Sequence, residues 1–267
     1  MKKTLIALMA LAGVAVGAQN LTITSETTGN FDQLNGNNNN TECNISVTET
    51  ATIARIDGSG INNLTKITLT VAADSVFTIT GYANLPFNNT SKTYNTSITL
   101  GDNSSFVVGG VLHLGSRNSS YTGIKQNSTI TFGDGASITA QSVSTVASAG
   151  GTSTLTLTAN FTSNDMLGLA DDALSGTRYE RTLITTKNGL TNYSTGNISL
   201  TAIEELDLLG YKNIGTITNA SALKVGEYGL LYANNTVKLV GSVIPEPTTA
   251  TLSLLALAGL AARRRRK

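Results

Sequence analysis

Few residues in this chain have side chains that could do chemistry. The 267-residue sequence contains one histidine, His113, and one cysteine, Cys43. A tetrahedral zinc site needs more Cys or His ligands than these two, and a single thiol has no disulfide partner within its own chain. We therefore interpret His113 as structural and Cys43 as a free thiol or a bridge to another chain. We predict no catalytic residue, no metal site and no cofactor.

Four aspartates are the next candidates. Asp74, Asp102 and Asp134 occur in similar turn contexts, and Asp57 precedes a Gly-Ser-Gly run. A carbohydrate-active enzyme, either a polysaccharide lyase or a hydrolase, would use such acidic groups, and a stacked ladder of carboxylates would bind Ca²⁺. Aspartates that hydrogen-bond nearby backbone amides in turns explain the pattern without catalysis. We predict that the protein is not an enzyme and keep the carbohydrate-active enzyme as an alternative.

Thr-x-Thr triplets recur along the chain. On a flat face of stacked strands, paired hydroxyls and methyls can order water into an ice-like lattice, and the pattern resembles that of ice-binding solenoids. Such a face needs the triplets on successive strands, and the gaps between them are irregular. We expect ordinary solvent-facing threonines, with ice binding as an alternative. The triplets are Thr22-Ile23-Thr24, Thr68-Leu69-Thr70, Thr78-Ile79-Thr80, Thr129-Ile130-Thr131, Thr154 to Thr158 and Thr216-Ile217-Thr218.

The segments that contain the Thr-x-Thr triplets also predict the secondary structure on which the threonines lie. Between residues 61 and 162, apolar residues alternate with Thr or Ser, for example in Thr154-Leu155-Thr156-Leu157-Thr158. Period two places Ile and Leu on one face of a strand and Thr on the other, and clusters of Gly, Asn, Asp and Ser bound each run. The sequence is therefore predicted to be all-β. Helical spacing is limited to residues 164–173 and, more weakly, residues 203–210.

An internal repeat suggests how the strands are arranged. Residues 98–106 recur 32 residues later as residues 130–138, and a looser copy, residues 67–77, lies 31 residues before the first. One strand-turn-strand unit cannot bury its apolar face alone, but stacked units share a core. We predict a parallel β-solenoid over residues 19–243, with an antiparallel β-sandwich as the alternative.

The last part of this region is predicted to close the stack. Residues 229–233 and 236–240 flank Asn234-Asn235, a typical two-residue hairpin turn, so that Leu230 and Tyr232 would share a face with Val237 and Leu239. A hairpin would cover the exposed edge of the solenoid. Residues 177–243 are loosely similar in pattern to the ends of autotransporter-like bacterial surface passengers.

Residues 1–18 have the three parts of a secretory signal peptide in order. Lys2 and Lys3 form a basic start, residues 5–16 are apolar, and Val16-Gly17-Ala18 is a small-residue cleavage site. We predict a signal-peptide helix that is cleaved between Ala18 and Gln19. The alternative is a buried N-terminal helix.

The C-terminal segment, residues 244–267, also has three parts. Pro245, Glu246 and Pro247 precede an apolar run over residues 248–262, and the chain ends in the basic cluster Arg263, Arg264, Arg265, Arg266 and Lys267. The prolines favour an extended motif. As a helix, the apolar run would reach only about 22 Å, short of a hydrocarbon core of about 30 Å. The basic tail would hold this short transmembrane helix with its C-terminus in the cytoplasm.

This arrangement resembles the PEP-CTERM sorting signal of bacteria with a two-membrane envelope. In that family an exosortase, a membrane-embedded cysteine protease or transpeptidase, reads the motif, and the cargo goes to the cell surface or the extracellular matrix. The resemblance implies exosortase and the secretion machinery as partners, and membrane contact before processing. A permanent single-pass anchor is the alternative.

Composition and charge complete the prediction. Only 13% of the residues are charged, against roughly 25% in an average domain, so charge-driven disorder is not expected. Removal of Lys2, Lys3 and the basic tail would leave 11 basic and 17 acidic residues, a net charge of −6 that repels nucleic acid. We predict an exported surface or matrix protein, adhesin-like, that binds polysaccharide or glycan by multivalent polar contacts.

Overall fold

The computed structural model describes residues 18–32, 41–57, 64–85, 93–114, 123–145, 151–159, 178–191 and 198–242. Over these residues the chain is all-β, with one short α-helix and one 3₁₀ turn, as the alternation of apolar and hydroxyl residues predicts. The predicted helix at residues 164–173 lies outside the described residues. The weaker prediction at residues 203–210 is confirmed by a helix over Glu204–Leu208.

Nineteen strands, one α-helix and one 3₁₀ turn make up the described chain. In chain order they are β1 Ala18–Ile23, β2 Asn30–Asp32, β3 Glu42–Val47, β4 Ala51–Ile53, β5 Arg55–Asp57, β6 Lys66–Val71, β7 Val76–Ile79, β8 Ala83–Asn84, β9 Thr93–Leu100, β10 Ser105–His113, β11 Lys125–Phe132, β12 Ser137–Ser144, β13 Thr152–Ala159, β14 Arg178–Thr186, β15 Leu190–Thr191, β16 Ile198–Leu200, α1 Glu204–Leu208, β17 Lys212–Ile217, the 3₁₀ turn Ala220–Ala222, β18 Glu227–Ala233 and β19 Thr236–Ser242.

The strands form two sheets. The first has seven strands in the order β1-β3-β6-β9-β11-β13-β16, and every neighbouring pair in it is parallel. The second has twelve strands, and its main path runs β17-β18-β19-β14-β12-β10-β8-β5-β2. In the described residues, only the β14–β19 and β18–β19 pairs are antiparallel. An antiparallel β-sandwich would need antiparallel neighbours throughout, so the pairing does not support that alternative.

The internal repeat corresponds to strands that lie side by side. Ile98 of β9 is opposite Ile130 of β11, and Phe106 of β10 is opposite Ile138 of β12, so the 32-residue spacing is confirmed. The looser copy is offset by 29 residues rather than 31, because Leu69 is the residue opposite Ile98. Strand pairing therefore corrects the alignment of that copy by two residues.

One hydrophobic core is shared by the two sheets. Inward-facing residues of equivalent strands stack in rows, such as Ile45, Leu69, Ile98 and Ile130 in the seven-stranded sheet. In the twelve-stranded sheet the rings of Phe77 and Phe106 are parallel, with centroids 5.4 Å apart. Burying an aliphatic or aromatic side chain of this size contributes roughly 1.5–3 kcal/mol.

Three similar turns connect the two sheets between β6 and β7, β9 and β10, and β11 and β12. Asp74, Asn103 and Gly135 hold the left-handed position in these turns, with φ of 57°, 56° and 65°. The turns stack so closely that a Cβ on Gly133 would lie 2.7 Å from the backbone nitrogen of Asp102. Glycine is required at Gly133 because the atoms in its way belong to a backbone that cannot rotate aside.

The predicted C-terminal hairpin is confirmed. β18 and β19 pair antiparallel around Asn234 and Asn235, which have φ of 50° and 61°. Positive φ at both central residues gives the turn that matches the twist of a two-residue hairpin. Leu230 is opposite Leu239 and Tyr232 is opposite Val237, as predicted. β19 in turn pairs antiparallel with β14, so the hairpin extends the twelve-stranded sheet beyond β14.

Arg181 of β14 contacts the last of the stacked turns. Its guanidinium donates hydrogen bonds to the carbonyl oxygens of Gly133 and Ala136, the second at 3.1 Å. In the preceding turn the equivalent of Ala136 is Ser104, whose carbonyl oxygen accepts a hydrogen bond from Ser137 N of the next unit at 3.1 Å. Arg181 thus supplies donors to the turn at the end of the stack.

The predicted membrane segments lie outside the described residues. Of the predicted signal peptide, residues 1–18, the structure describes only Ala18, which is the first residue of β1 rather than part of a helix. The apolar run over residues 248–262 lies outside the described residues. Among the helices of the described ranges, none is long and apolar enough to cross a membrane.

Replacing Gly133 by alanine should destabilise the fold by about 1–3 kcal/mol, the usual cost of overpacking. The added methyl would meet backbone atoms of the neighbouring turn at Asp102 and Gly101. The midpoint of urea unfolding measures the loss.

Gly135→Asn is the matched control for Gly133→Ala. Asn103 already occupies the equivalent turn position, and the nearest obstacle at Gly135 is the flexible end of the Asn103 side chain. Equal losses in the two variants would contradict the close-approach argument.

Candidate functional site

The outer face of the seven-stranded sheet has the most regular arrangement of polar side chains in the described residues. Its strands alternate inward residues, most of them apolar, with outward polar ones, as in Ile67-Thr68-Leu69-Thr70 of β6. Because the strands are parallel and in register, equivalent outward residues line up across the sheet. We call two of these rows together the hydroxyl face.

The hydroxyl face contains eleven Ser or Thr residues and two Asn residues. The first row crosses all seven strands and consists of Asn20, Asn44, Thr68, Ser97, Thr129, Thr156 and Ser199. The second row crosses six strands and consists of Thr22, Ser46, Thr70, Thr99, Thr131 and Thr158.

The spacing of the hydroxyl face follows from sheet geometry. Neighbouring strands lie about 4.8 Å apart, and residues i and i+2 of a parallel strand lie about 6.6 Å apart. The face is thus a two-dimensional array of hydroxyl and methyl groups, two rows wide and up to seven strands long. The expectation that irregular gaps keep the Thr-x-Thr triplets off successive strands is wrong for those of β11 and β13, which are neighbours, whereas β9 lies between β11 and the triplet of β6. Their strands are brought into register although the connecting segments differ in length.

Two of the triplets lie elsewhere. Thr78-Ile79-Thr80 begins on β7 of the twelve-stranded sheet, and Thr216-Ile217-Thr218 lies at the end of β17. Only the triplets on β6, β11 and β13 contribute both of their threonines to the hydroxyl face, and Ser97-Ile98-Thr99 of β9 fills the position between β6 and β11.

Side chains in and beside the hydroxyl face hydrogen-bond across strands. The Asn44 amide donates to Asn20 Oδ1 at 2.9 Å, and the Thr156 and Ser199 hydroxyl oxygens are 3.3 Å apart. Beside the face, the Asn127 amide donates to Asn95 Oδ1 at 3.2 Å. These lateral bonds fix rotamers and so reduce the entropy that the side chains lose on binding a ligand.

Charged side chains of the seven-stranded sheet lie outside the two rows. Glu42 and Lys66 form an ion pair with the Lys66 Nζ and Glu42 Oε2 atoms 3.3 Å apart, and Lys125 lies nearer the beginning of its strand. Both members of the ion pair are exposed, so it contributes little to stability. The hydroxyl face itself has no formal charge.

The candidate aspartates do not form a carboxylate ladder. Asp74 is equivalent to Asn103, whose amide donates to Asp74 Oδ1 at 3.1 Å. Asp102 is instead equivalent to Asp134, and it accepts a hydrogen bond from the Asp134 backbone nitrogen at 2.9 Å. The carboxylates of Asp74 and Asp102 therefore each accept a hydrogen bond from the next turn of the stack. No cluster of three or more potential metal-ligating side chains occurs within the described ranges.

Asp57 belongs to a polar cluster that sequence reasoning missed. Its carboxylate accepts hydrogen bonds from the Tyr82 hydroxyl at 2.9 Å and from the Asn84 amide at 3.0 Å. The Arg55 guanidinium carbon lies 5.8 Å from the centroid of the Tyr82 ring. Tyr82 and Asn84 come from a segment 25 to 27 residues further along the chain, so no local pattern connects them to Asp57. Because both carboxylate oxygens are engaged, the cluster is suited to joining strands rather than to proton transfer.

His113 and Cys43 are both built into strands. His113 is the last residue of β10 and stands in register with Asn84 and Ser144. Cys43 is 1% exposed in the core, and this burial raises the pKa of its thiol from 9.0 to about 12. While the protein is folded, a thiol buried in this way cannot form a disulfide with another chain and cannot act as a nucleophile.

The predicted processing residues are divided between described and undescribed parts of the chain. Ala18 and Gln19 are the first two residues of β1, where they pair with Glu42 and Cys43. Pro245, Glu246 and Pro247 and the basic residues Arg263 to Lys267 lie outside the described residues.

Comparisons with known proteins do not assign this chain to a family. No family model, no curated protein and no solved structure matches it. The arrangement of its own side chains is therefore the basis for any functional argument.

Cys43 should resist alkylation in the folded protein. A rise of its pKa from 9.0 to about 12 lowers the thiolate fraction about a thousandfold at any pH below 9, since each pH unit is a factor of ten. Iodoacetamide labelling followed by mass spectrometry should detect modification only after urea unfolding. Labelling of the folded chain at the unfolded rate would contradict the burial.

Proposed function

We propose that this chain is an exported parallel β-solenoid that displays the hydroxyl face at the cell surface or in the extracellular matrix. There the face would bind a neutral, repeating polysaccharide by many weak polar contacts. The observation on which this proposal depends is the alignment of thirteen Ser, Thr and Asn side chains in two uncharged rows.

The solenoid assignment is supported by the order of the strands. Successive strands alternate between the two sheets, as in β9, β10, β11 and β12, and each pairs in parallel with the equivalent strand of the next unit. Two parallel neighbouring strands must be joined by a crossover connection. Here the chain crosses to the other sheet and back in each unit, so that each unit forms one coil of a solenoid. The β14–β19–β18 segment then acts as the closing cap.

Export is supported by the two terminal segments of the sequence. The predicted signal peptide ends at Ala18, the first residue of β1, so that cleavage there would leave the strands complete except for one terminal residue. The resemblance of residues 244–267 to a PEP-CTERM signal supports recognition by an exosortase. Exposure of such a neutral, hydroxyl-rich surface is compatible with an extracellular setting.

A neutral polysaccharide fits the chemistry of the hydroxyl face. Serine and threonine hydroxyls both donate and accept hydrogen bonds, as sugar hydroxyls do, and neither partner needs to lose a charged hydration shell. Each contact is weak because it replaces a contact with water. A repeating polymer makes many such contacts at once, and the second and later ones form at high effective concentration.

The proposal predicts that bulky residues on the hydroxyl face abolish polymer binding. In a Thr99→Tyr, Thr131→Tyr variant, two adjacent strands would hold a flat polymer away from the sheet. Retention of the full-length chain, in mild detergent, on insoluble neutral polysaccharides and on a glycan array should fall at least ~10-fold, which corresponds to about 1.4 kcal/mol.

Thr78→Tyr, Thr139→Tyr is the matched control, because both threonines lie on strands of the other sheet. It should retain full binding at an unchanged urea midpoint. Equal loss in both variants would contradict a role for the hydroxyl face. Turnover of a polysaccharide in a reducing-sugar or lyase assay, abolished by Asp57→Asn, would instead support the carbohydrate-active enzyme.

Ice binding is the second candidate, and the stacking of Thr-x-Thr triplets on β6, β11 and β13 is the observation that favours it. Hydroxyl and methyl groups at constant spacing can order water as well as sugar. Thermal hysteresis that disappears in Thr156→Tyr would support this candidate over the polysaccharide, whereas glycan retention without hysteresis would exclude it.

Processing at both ends should be visible in the mature protein. Mass spectrometry of material recovered from the cell surface should find an N-terminus at Gln19 and a C-terminus near Pro245, Glu246 and Pro247. Cleavage near that motif favours sorting, whereas an intact basic tail ending at Lys267 would indicate the permanent anchor. Recovery of the uncleaved chain from the cytosol would contradict export.

A further inference from the structure

Exposed aliphatic side chains gather where the described chain ends. Leu208 is 82% exposed, Val225 is 63% exposed and Leu209 is 46% exposed. Among the large hydrophobic residues of the described ranges, only Val76 is also classed as exposed, and it lies on β7. We call Leu208, Leu209 and Val225 the exit patch.

The topology brings the exit patch beside Ser242, the last described residue. β17 and β18 are parallel and begin side by side, with Lys212 opposite Glu227. The patch residues come just before the first residues of β17 and β18. Because β19 is antiparallel to β18, the last residues of β19 lie beside the first residues of β18. There the Gly226 backbone nitrogen donates to Ser242 O at 2.9 Å, one residue from Val225.

The exit patch is not needed for packing. α1 is anchored by Ile203 at its start and by Leu206, which are 9% and 0% exposed, and the following turn is closed by a bond from Tyr211 N to Leu206 O. Leu208 and Leu209 point away from this buried side. Exposed apolar groups that the fold does not use commonly mark a site of protein or membrane contact.

We propose that the exit patch contacts the surface of the lipid bilayer while the C-terminal segment is still attached, and so orients the Pro245-Glu246-Pro247 motif at the membrane. The inference rests on the transmembrane helix of the proposed function. Only residues 243–247 separate Ser242 from the predicted apolar run, and the six steps from Ser242 to residue 248 reach at most about 22 Å. The exit patch is therefore held within reach of the bilayer wherever the chain enters it.

Lipid is a better occupant than a second protein surface. A stable protein interface buries about 800 Å² on each partner, with a packed apolar centre, and three aliphatic side chains are too few for this. Side chains that enter a bilayer need no complementary shape, and tethering supplies a high effective concentration. Glu204, Asp207 and Glu227 outnumber Lys212 and Lys224, so anionic lipid should not strengthen the contact.

Because the exit patch binds the membrane only weakly, its contact with the bilayer should depend on the attached C-terminal segment. Three side chains suffice to orient a tethered chain but not to retain a free one, just as a single short acyl chain gives only reversible binding. Cleavage at the motif would then release the chain from the membrane without any change in the fold.

The test uses the full-length chain in phosphatidylcholine vesicles, with and without phosphatidylglycerol. An environment-sensitive fluorophore is attached at Val225→Cys in a Cys43→Ala background, and the matched control has it at Thr139→Cys on the outer side of β12. We expect the label at 225 to shift to the blue and to be quenched by spin-labelled lipid, whereas the label at 139 is quenched by aqueous iodide. Adding Leu208→Glu and Leu209→Glu should raise iodide quenching at 225 several-fold.

The outcomes separate this inference from the proposed function. If the chain floats with the vesicles but the label at 225 stays in water, the exit-patch inference is wrong and the transmembrane helix stands. If the chain does not float with the vesicles, the prediction of a transmembrane helix over residues 248–262 is wrong, and the exit-patch inference is wrong with it. A label that is shielded from both quenchers, together with cross-linked dimers, would identify a second copy as the occupant and overturn the inference.

Discussion

In-register hydrogen bonding between parallel strands is the constraint on which the rest of this molecule depends. A buried backbone amide or carbonyl needs a partner, and here most partners lie on the equivalent strand of the neighbouring unit. The same pairing places Ile98 beside Ile130 on the inner side and Thr99 beside Thr131 on the outer side. Core packing and the ordered hydroxyl rows are therefore two consequences of one register, and neither can change without the other.

A stack of this kind must also be ended. A strand with unpaired amides would recruit another chain. At the C-terminal end β19 runs antiparallel to β14 and so covers the edge of β14, and β18 and β17 follow it in the same sheet. Arg181 supplies donors to the third of the three described turns. The end that closes the fold is also the end where the exit patch and the last described residue meet. Its position thus links the folded region to the segment that is predicted to be processed.

Several of the side chains that could do chemistry are built into the fold instead. Asp57 uses both carboxylate oxygens, Asp102 accepts a bond from a backbone amide, and Cys43 is buried with a raised pKa. The hydroxyl face carries no formally charged side chain in its two rows. Such a surface is suited to recognising a repeated pattern, in which affinity comes from the number of contacts. This is the physical reason for preferring a binding function to an enzymatic one.

Local patterns in the sequence determined the strands, the helix near Ile203 and the Asn234-Asn235 turn, because alternation and positive-φ preference act over a few neighbouring residues. The tertiary structure alone decided which strands became neighbours. Along the first row the steps from Asn44 to Thr68, Ser97, Thr129, Thr156 and Ser199 are 24, 29, 32, 27 and 43 residues. Because these connections differ in length, no fixed sequence period predicts which residues become neighbours. The contacts of Asp74 with Asn103 and of Asp57 with Tyr82, and the alignment of threonines in one face, are therefore visible only in the folded structure. Register is set by the shared core and by backbone pairing, both of which exist only once the chain has folded.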